Sequence, residues 1–144
     1  MSMQDWFQIG GQTYNVRVIE VTEEANVLYT DNSGRTMAVG APMTLDPLGT
    51  FINHKIDVAV KKGYESDFDA LYEYVIQPRS VGVPVKVVHN QTVLNYNAYI
   101  SSSSRKVKRI NENSTYIDAR SNPIKVKWER MSINCIPIEA QITP

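Results

Sequence analysis

The sequence predicts a mainly β domain, α+β by strict count: an antiparallel barrel or sandwich of about seven to nine strands with one amphipathic helix at about 66–77. Two observations carry this. Two-residue alternation of apolar and polar side chains occupies most of the chain, as at Ile52, His54, Ile56, Val58 and Val60 against Asn53, Lys55, Asp57, Ala59 and Lys61. Only Phe68, Leu71, Tyr72 and Val75 repeat at i, i+3, i+4 and i+7, the spacing of one helical face.

The first expected strand runs from Tyr14 to Val21. The polar stretch Thr22 to Asn26 reads as a turn, and Val27 to Thr30 returns as a hairpin partner. Asp31 to Arg35 is rich in residues that tolerate positive φ or bond to their own backbone, so a turn follows. Thr36 to Thr50 mixes Gly40, Pro42, Pro47 and Gly49 with apolar Met37, Val39, Met43, Leu45 and Leu48. Proline removes a ladder donor, so no long central strand is expected there. Its apolar content favours an ordered arm packed on its own barrel or on a neighbouring subunit, with a loop folded over its own core as the other reading.

Ser66 is the expected N-cap, with Asp69 three residues on as a short-armed capping box. Asp67 and Asp69 lie where the helix macrodipole favours negative charge. Pro78 ends the helix, and Gln77 before it is driven to extended geometry. Strands from Val83 to Val88 and Val93 to Ile100 flank a loop at 89–92. Ser101 to Ser104 reads as a loop or solvated edge, and Arg105 to Ile110 as a further strand. The alternation Ile124, Val126, Trp128 changes parity to Met131, Ile133, Cys135, which predicts a β-bulge near Arg130-Met131.

A chain of 144 residues suits one domain, expected to span 1–144, with enough core to dispense with disulfides and metals. Cys135 is the single cysteine, in an apolar stretch that predicts burial. Fifteen cationic residues balance fifteen anionic ones, so no overall field attracts nucleic acid. The segment Arg105-Lys106-Val107-Lys108-Arg109 is a local exception. The opening Met-Ser-Met-Gln-Asp-Trp lacks the pattern of a secretory signal, and synthesis in the cytoplasm is expected.

Catalytic patterns are absent from the sequence: HExxH, CxxC, GxSxG and GxxxxGK[ST] do not occur. His54 and His89 are far apart, and His54 falls on the buried phase of its strand. Asp67 and Asp69 form a carboxylate pair only on paper, since the helix N-terminus accounts for both. The expectation is a non-enzymatic protein with no cofactor and no metal. A competing reading is an OB-like barrel that stacks bases on some of its eight tyrosines, with the basic segment 105–109 on phosphates.

The segments Tyr29-Thr-Asp-Asn-Ser-Gly-Arg-Thr-Met-Ala, Met43-Thr-Leu-Asp-Pro-Leu-Gly-Thr, Lys62-Gly-Tyr-Glu-Ser-Asp-Phe-Asp-Ala-Leu and Gly82-Val-Pro-Val-Lys-Val-Val-His-Asn-Gln-Thr resemble small prophage-encoded tail proteins of Gram-positive bacteria. The likeness covers about residues 12–100, with a fainter match over Trp128 to Ile138. The order of hairpin, arm, strand, helix and closing strands is similar to the tail-tube and distal-tail fold. The chain departs from the larger distal-tail proteins in lacking a second, carbohydrate-binding-like domain, so receptor binding is not implied. The resemblance implies a virion tail subunit that forms rings, with a hexamer as the implied size, or adapts the tail end. Its partners would be copies of itself and other tail or baseplate proteins, with no membrane and at most non-specific nucleic-acid contact. The arm would then supply the oligomer interface, through Met37, Val39, Met43, Leu45 and Leu48, with Arg35 at the rim.

Overall fold

A computed structural model describes residues 6–30, 33, 34, 40 and 42–144. Its elements are β1 (Gln8–Ile9), β2 (Val16–Tyr29), β3 (Pro47–Val60), α1 (Glu65–Val75), β4 (Val83–His89), β5 (Thr92–Ile110) and β6 (Val126–Pro137). All six strands belong to one antiparallel sheet in the order β1-β4-β5-β6-β3-β2. The mainly β class with one helix is therefore what the chain adopts.

Six strands replace the expected seven to nine because two expected breaks are continuous. Thr22 to Asn26 is not a turn: β2 keeps its ladder with β3 from Glu20 opposite Asp57 to Leu28 opposite Gly49. Val27 to Tyr29 therefore extends the same strand rather than returning as its partner. Ser101 to Ser104 likewise stays in β5, with Ser102, Ser103 and Ser104 paired with β6 and an irregularity at Ser101. In both places the ladder overrides side chains that favour turns, as packing and pairing routinely do.

The other departures are smaller. The loop between β4 and β5 is only Asn90-Gln91, with Asn90 at φ 54, the left-handed geometry asparagine tolerates. Pro47 sits at the first residue of β3, where a missing N–H is tolerated. Gly49 is required where it is: its φ is 138, and a Cβ there would stand 2.7 Å from the Ile142 carbonyl oxygen. The parity change in β6 is a bulge, since Met131 faces Arg105 while Trp128 faces Val107. A second irregularity leaves Ile19 unpaired between Val18 and Glu20 of β2.

The core lies between α1 and the concave face of the sheet. Phe68, Leu71 and Val75 of the helix are buried with Ile9, Val58, Val85, Val87, Met131 and Ile133. Helix α1 begins one residue earlier than expected, with Tyr64 at the N-cap and no side-chain cap. Ser66 is therefore inside the first turn. Its N–H is capped instead by Asp118, 52 residues away, at 3.0 Å.

The sheet is strongly curled. In a flat sheet, β2 and β4 would stand about 19 Å apart, four intervals of about 4.8 Å. Yet Glu23 Oε2 of β2 lies 2.8 Å from His89 Nδ1 of β4. Curling brings the two sides together into a barrel-like wall, and α1 packs within its concavity.

Candidate functional site

Three polar clusters and one apolar surface collect the side chains that could carry chemistry or binding. The first cluster is the seam that closes the curl. Register places Glu23, His54 and Cys135 in one row across β2, β3 and β6. His54 is fully buried, and both of its ring nitrogens are engaged: Nε2 with Glu23 Oε2 at 2.9 Å and Nδ1 with the Tyr96 hydroxyl at 2.8 Å. Burial pushes the His54 pKa down, outweighing the pull of Glu23 in the other direction. Burial acts to raise the Glu23 carboxyl, but hydrogen bonds from His89 and His54 overcome it and hold it below its ordinary value. The ionised carboxylate only accepts, so neutral His54 carries its proton on Nε2 and accepts the Tyr96 O–H at Nδ1. Tyr96 is itself raised, chiefly by burial.

This arrangement is a latch. Each His54 nitrogen is used within the fold, which leaves the ring no free atom for a substrate. Among the described residues no group of three His, Cys, Asp or Glu side chains is placed to hold a metal ion. Cys135 is fully buried as expected, and burial lifts its thiol to about 12, so it stays protonated and inert.

The second cluster ties segment 117–123 to the start of α1. Arg120 donates to Asp67 from Nε at 2.5 Å and from Nη2 at 3.2 Å. Asp67 also accepts the Asn15 N–H. Asp118 accepts the N–H groups of Ser66, Arg120 and Asn122. The Ser66 hydroxyl beside it, with those backbone donors, holds the Asp118 carboxyl down to about 2.

The third cluster lies at the two bulges. Buried Asp57 accepts from Ser132 Oγ at 2.6 Å and from Arg130, which also reaches Glu20. Arg105 is held separately, its guanidinium 3.9 Å from the Tyr72 ring centre and 3.8 Å from that of Trp128. It also donates to Asp69 at 2.7 Å. Asp67 and Asp69 thus serve different arginines and form no pair. The first cation of the basic segment is committed to packing α1 against the sheet. A surface cleft of about 450 Å³ beside it is lined by Asp69, Glu73, Arg105, Ile124 and Trp128 among others.

The apolar surface is the far end of the β2–β3 hairpin. Of the six expected interface residues, Arg35, Met37 and Val39 lie outside the described residues. Met43, Leu45 and Leu48 are 45–58% exposed. Beside them, Val27, Leu28 and Tyr29 of β2 are 44–53% exposed. Successive strand residues point to opposite faces, so this end of the ribbon offers apolar side chains on both faces at once. A strand lying on its own core hides one face; this one hides neither.

Thr30 and Asp46 tie the two strands together at this end. The Thr30 hydroxyl donates to Asp46 at 2.6 Å, and Gly34 and Thr44 exchange both backbone hydrogen bonds. The sequence alone places Val27 to Thr30 in a short return strand; three consecutive apolar residues beside a polar stretch are the signal for this surface. Ile142, 54% exposed, adjoins the same end through its bridge to Thr50. No family model matches the chain, and no curated protein matches its sequence.

Proposed function

We propose that this protein is a non-enzymatic structural subunit that self-assembles, and that it serves in the tail of a phage or prophage virion. The observation that carries the reading is the end of the β2–β3 ribbon, where Val27, Leu28, Tyr29, Met43, Leu45 and Leu48 are exposed on both faces. Six large apolar side chains left exposed together at one end of a ribbon fit a contact site for another protein. The polar clusters support the same reading, because their ion pairs tie separate elements together and brace the fold. The resemblance of residues 12–100 to prophage tail proteins supplies the setting, a ring or tube built from copies of one small β subunit.

The test is the double substitution Leu45→Asp/Leu48→Asp. Wild-type protein at high concentration is expected to give rings or tubes in negative-stain microscopy and a large species by light scattering. The variant is expected to keep its far-ultraviolet circular dichroism and to scatter as a monomer. Wild-type protein that remains monomeric at every concentration, or a folded variant that assembles unchanged, defeats the reading.

A further inference from the structure

A ribbon of two strands runs on past the rest of the sheet. The ladder of β5 with β4 ends at Ala98 opposite Val83, and that of β6 with β3 ends at Met131 opposite Val58. Among the described residues, 106–110 of β5 and 126–130 of β6 therefore have no ladder partner but each other. The ribbon is held at both ends. At its base Arg105 is stacked between Tyr72 of α1 and Trp128. Beyond its tip Asp118 accepts the Ser66 N–H, and Ala119 donates to the Gly63 carbonyl at 2.6 Å.

Register sorts the side chains of the ribbon by face. Residues opposite each other in a ladder share a side, and successive residues take opposite sides. Val107 opposite Trp128 and Ile110 opposite Val126 set the apolar side chains, with Arg105, on the side of α1 and the 450 Å³ cleft. Arg109 opposite Lys127 points the other way, and so does Lys106 beside Arg105. Lys108 occupies the irregularity between Val107 and Arg109, and Lys125 extends the ribbon by accepting the Asn111 N–H. All five of these cations are exposed.

Their charge is uncompensated. Residues 105–130 hold eight cationic and three anionic side chains in a chain that is neutral as a whole. Arg105, Arg120 and Arg130 are ion-paired; among the described residues Lys106, Lys108, Arg109, Lys125 and Lys127 are not. Asp118 is taken up by α1 and its own loop, which leaves only Glu112 and Glu129 against the five. Arg109 opposite Lys127 is a like-charge pair that weakens the ladder, and an anion bound between them turns repulsion into attraction.

We infer that the outer face of the β5–β6 ribbon binds the phosphate backbone of a nucleic-acid duplex, without regard to sequence. This is a second activity, and it does not depend on self-assembly. Lys106 and Arg109 stand about 10 Å apart along β5, and Lys127 about 5 Å to the side. Over about 10 Å each strand of a duplex advances about three nucleotides, so the three cations match successive phosphates. Contacts of this kind position a protein on a duplex and carry no sequence information. The face is a poor match for the other polyanions. A lipid surface is gripped by apolar side chains beside the cations, and here those lie on the opposite side of the ribbon. Protein interfaces centre on aromatic and apolar side chains and are depleted in lysine.

The test is fluorescence anisotropy of the full-length protein with two labelled duplexes of about 20 base pairs and unrelated sequence. Both are expected to bind with affinities within about threefold of each other. Log affinity is expected to fall against log salt with a slope of about −3 or steeper, since each phosphate contact contributes about −0.9. Lys106→Gln/Lys127→Gln is expected to weaken binding at least about tenfold and to make the slope shallower by about two, with the melting temperature kept. Arg17→Gln/Lys55→Gln removes the same charge from exposed positions on β2 and β3, and is expected to bind within about threefold of wild type. Absence of binding at about 50 mM salt, a wild-type slope shallower than about −2, or equal loss in the two variants overturns the inference and leaves self-assembly standing. Polyglutamate that displaces the duplex as well as unlabelled duplex does, at equal charge, assigns the face to an acidic protein and overturns it. Phosphatidylserine vesicles bound in place of the duplex assign it to lipid, with the same consequence.

Discussion

His54 shows how one residue couples the sheet to pH. Its ring is neutral in the fold because burial opposes the charge, and its folded pKa lies below the ordinary histidine value of about 6.5. The unfolded chain therefore binds more protons as pH falls through that value, and stability drops from about 6.5 downward until the folded pKa is passed. Asp118 adds a second loss at lower pH, since its carboxyl is held at about 2 against an ordinary value of about 3.9. Urea denaturation at a series of pH values is expected to show both declines. His54→Gln is expected to remove the first, to leave the second, and to cost about 1–3 kcal/mol at neutral pH through the lost hydrogen bonds to Glu23 and Tyr96. Asp118→Asn is expected to flatten the decline between about 4 and 2. Burial of His54 was legible in the sequence, because it sits on the apolar phase of its strand. Its partners were not: Glu23 lies 31 positions before it and Tyr96 42 positions after it.

At the level of elements, α1 is the piece whose packing holds the concave face together. Phe68 is fully buried against the sheet, and Phe68→Ala is expected to cost about 3–5 kcal/mol in chemical denaturation, the range for emptying a large core site. Arg105→Ala removes a guanidinium stacked between Tyr72 and Trp128 and is expected to cost about 1–2 kcal/mol, since part of the arginine is exposed. The apolar face of the helix and the bulge in β6 could be read directly, because 3.6-residue and two-residue periods are written in the order of side chains. The helix cap could not. Ser66 has the right chemistry for an N-cap, but Gly63 O accepts from Ala119 N and Asp118 takes the Ser66 N–H, so a distant loop does the capping. The expected turn at 22–26 failed for a related reason: an unbroken partner strand supplies hydrogen bonds that outweigh local preference.

For the whole molecule, a curled six-stranded sheet latched by Glu23 and His89 carries exposed apolar side chains on both faces of one end, Val27, Leu28, Tyr29, Met43, Leu45 and Leu48. If copies associate through these features, mass action ties stability to concentration. The melting temperature of the wild-type protein is expected to rise with protein concentration. That of Leu45→Asp/Leu48→Asp is expected to rise less or not at all, which differential scanning calorimetry over a hundredfold range of concentration, about 1 µM to 100 µM, would register. By itself the sequence determined the β class, the single helix and its buried stripe, the burial of His54 and Cys135, and the bulge, since each follows from neighbours within a few positions. Only the tertiary structure decided which strands lie side by side and that both histidines meet one carboxylate. Those outcomes depend on contacts far apart in the chain, such as His54 opposite Cys135 in the ladder and Glu23 against His89 across 66 positions, and no local period encodes them.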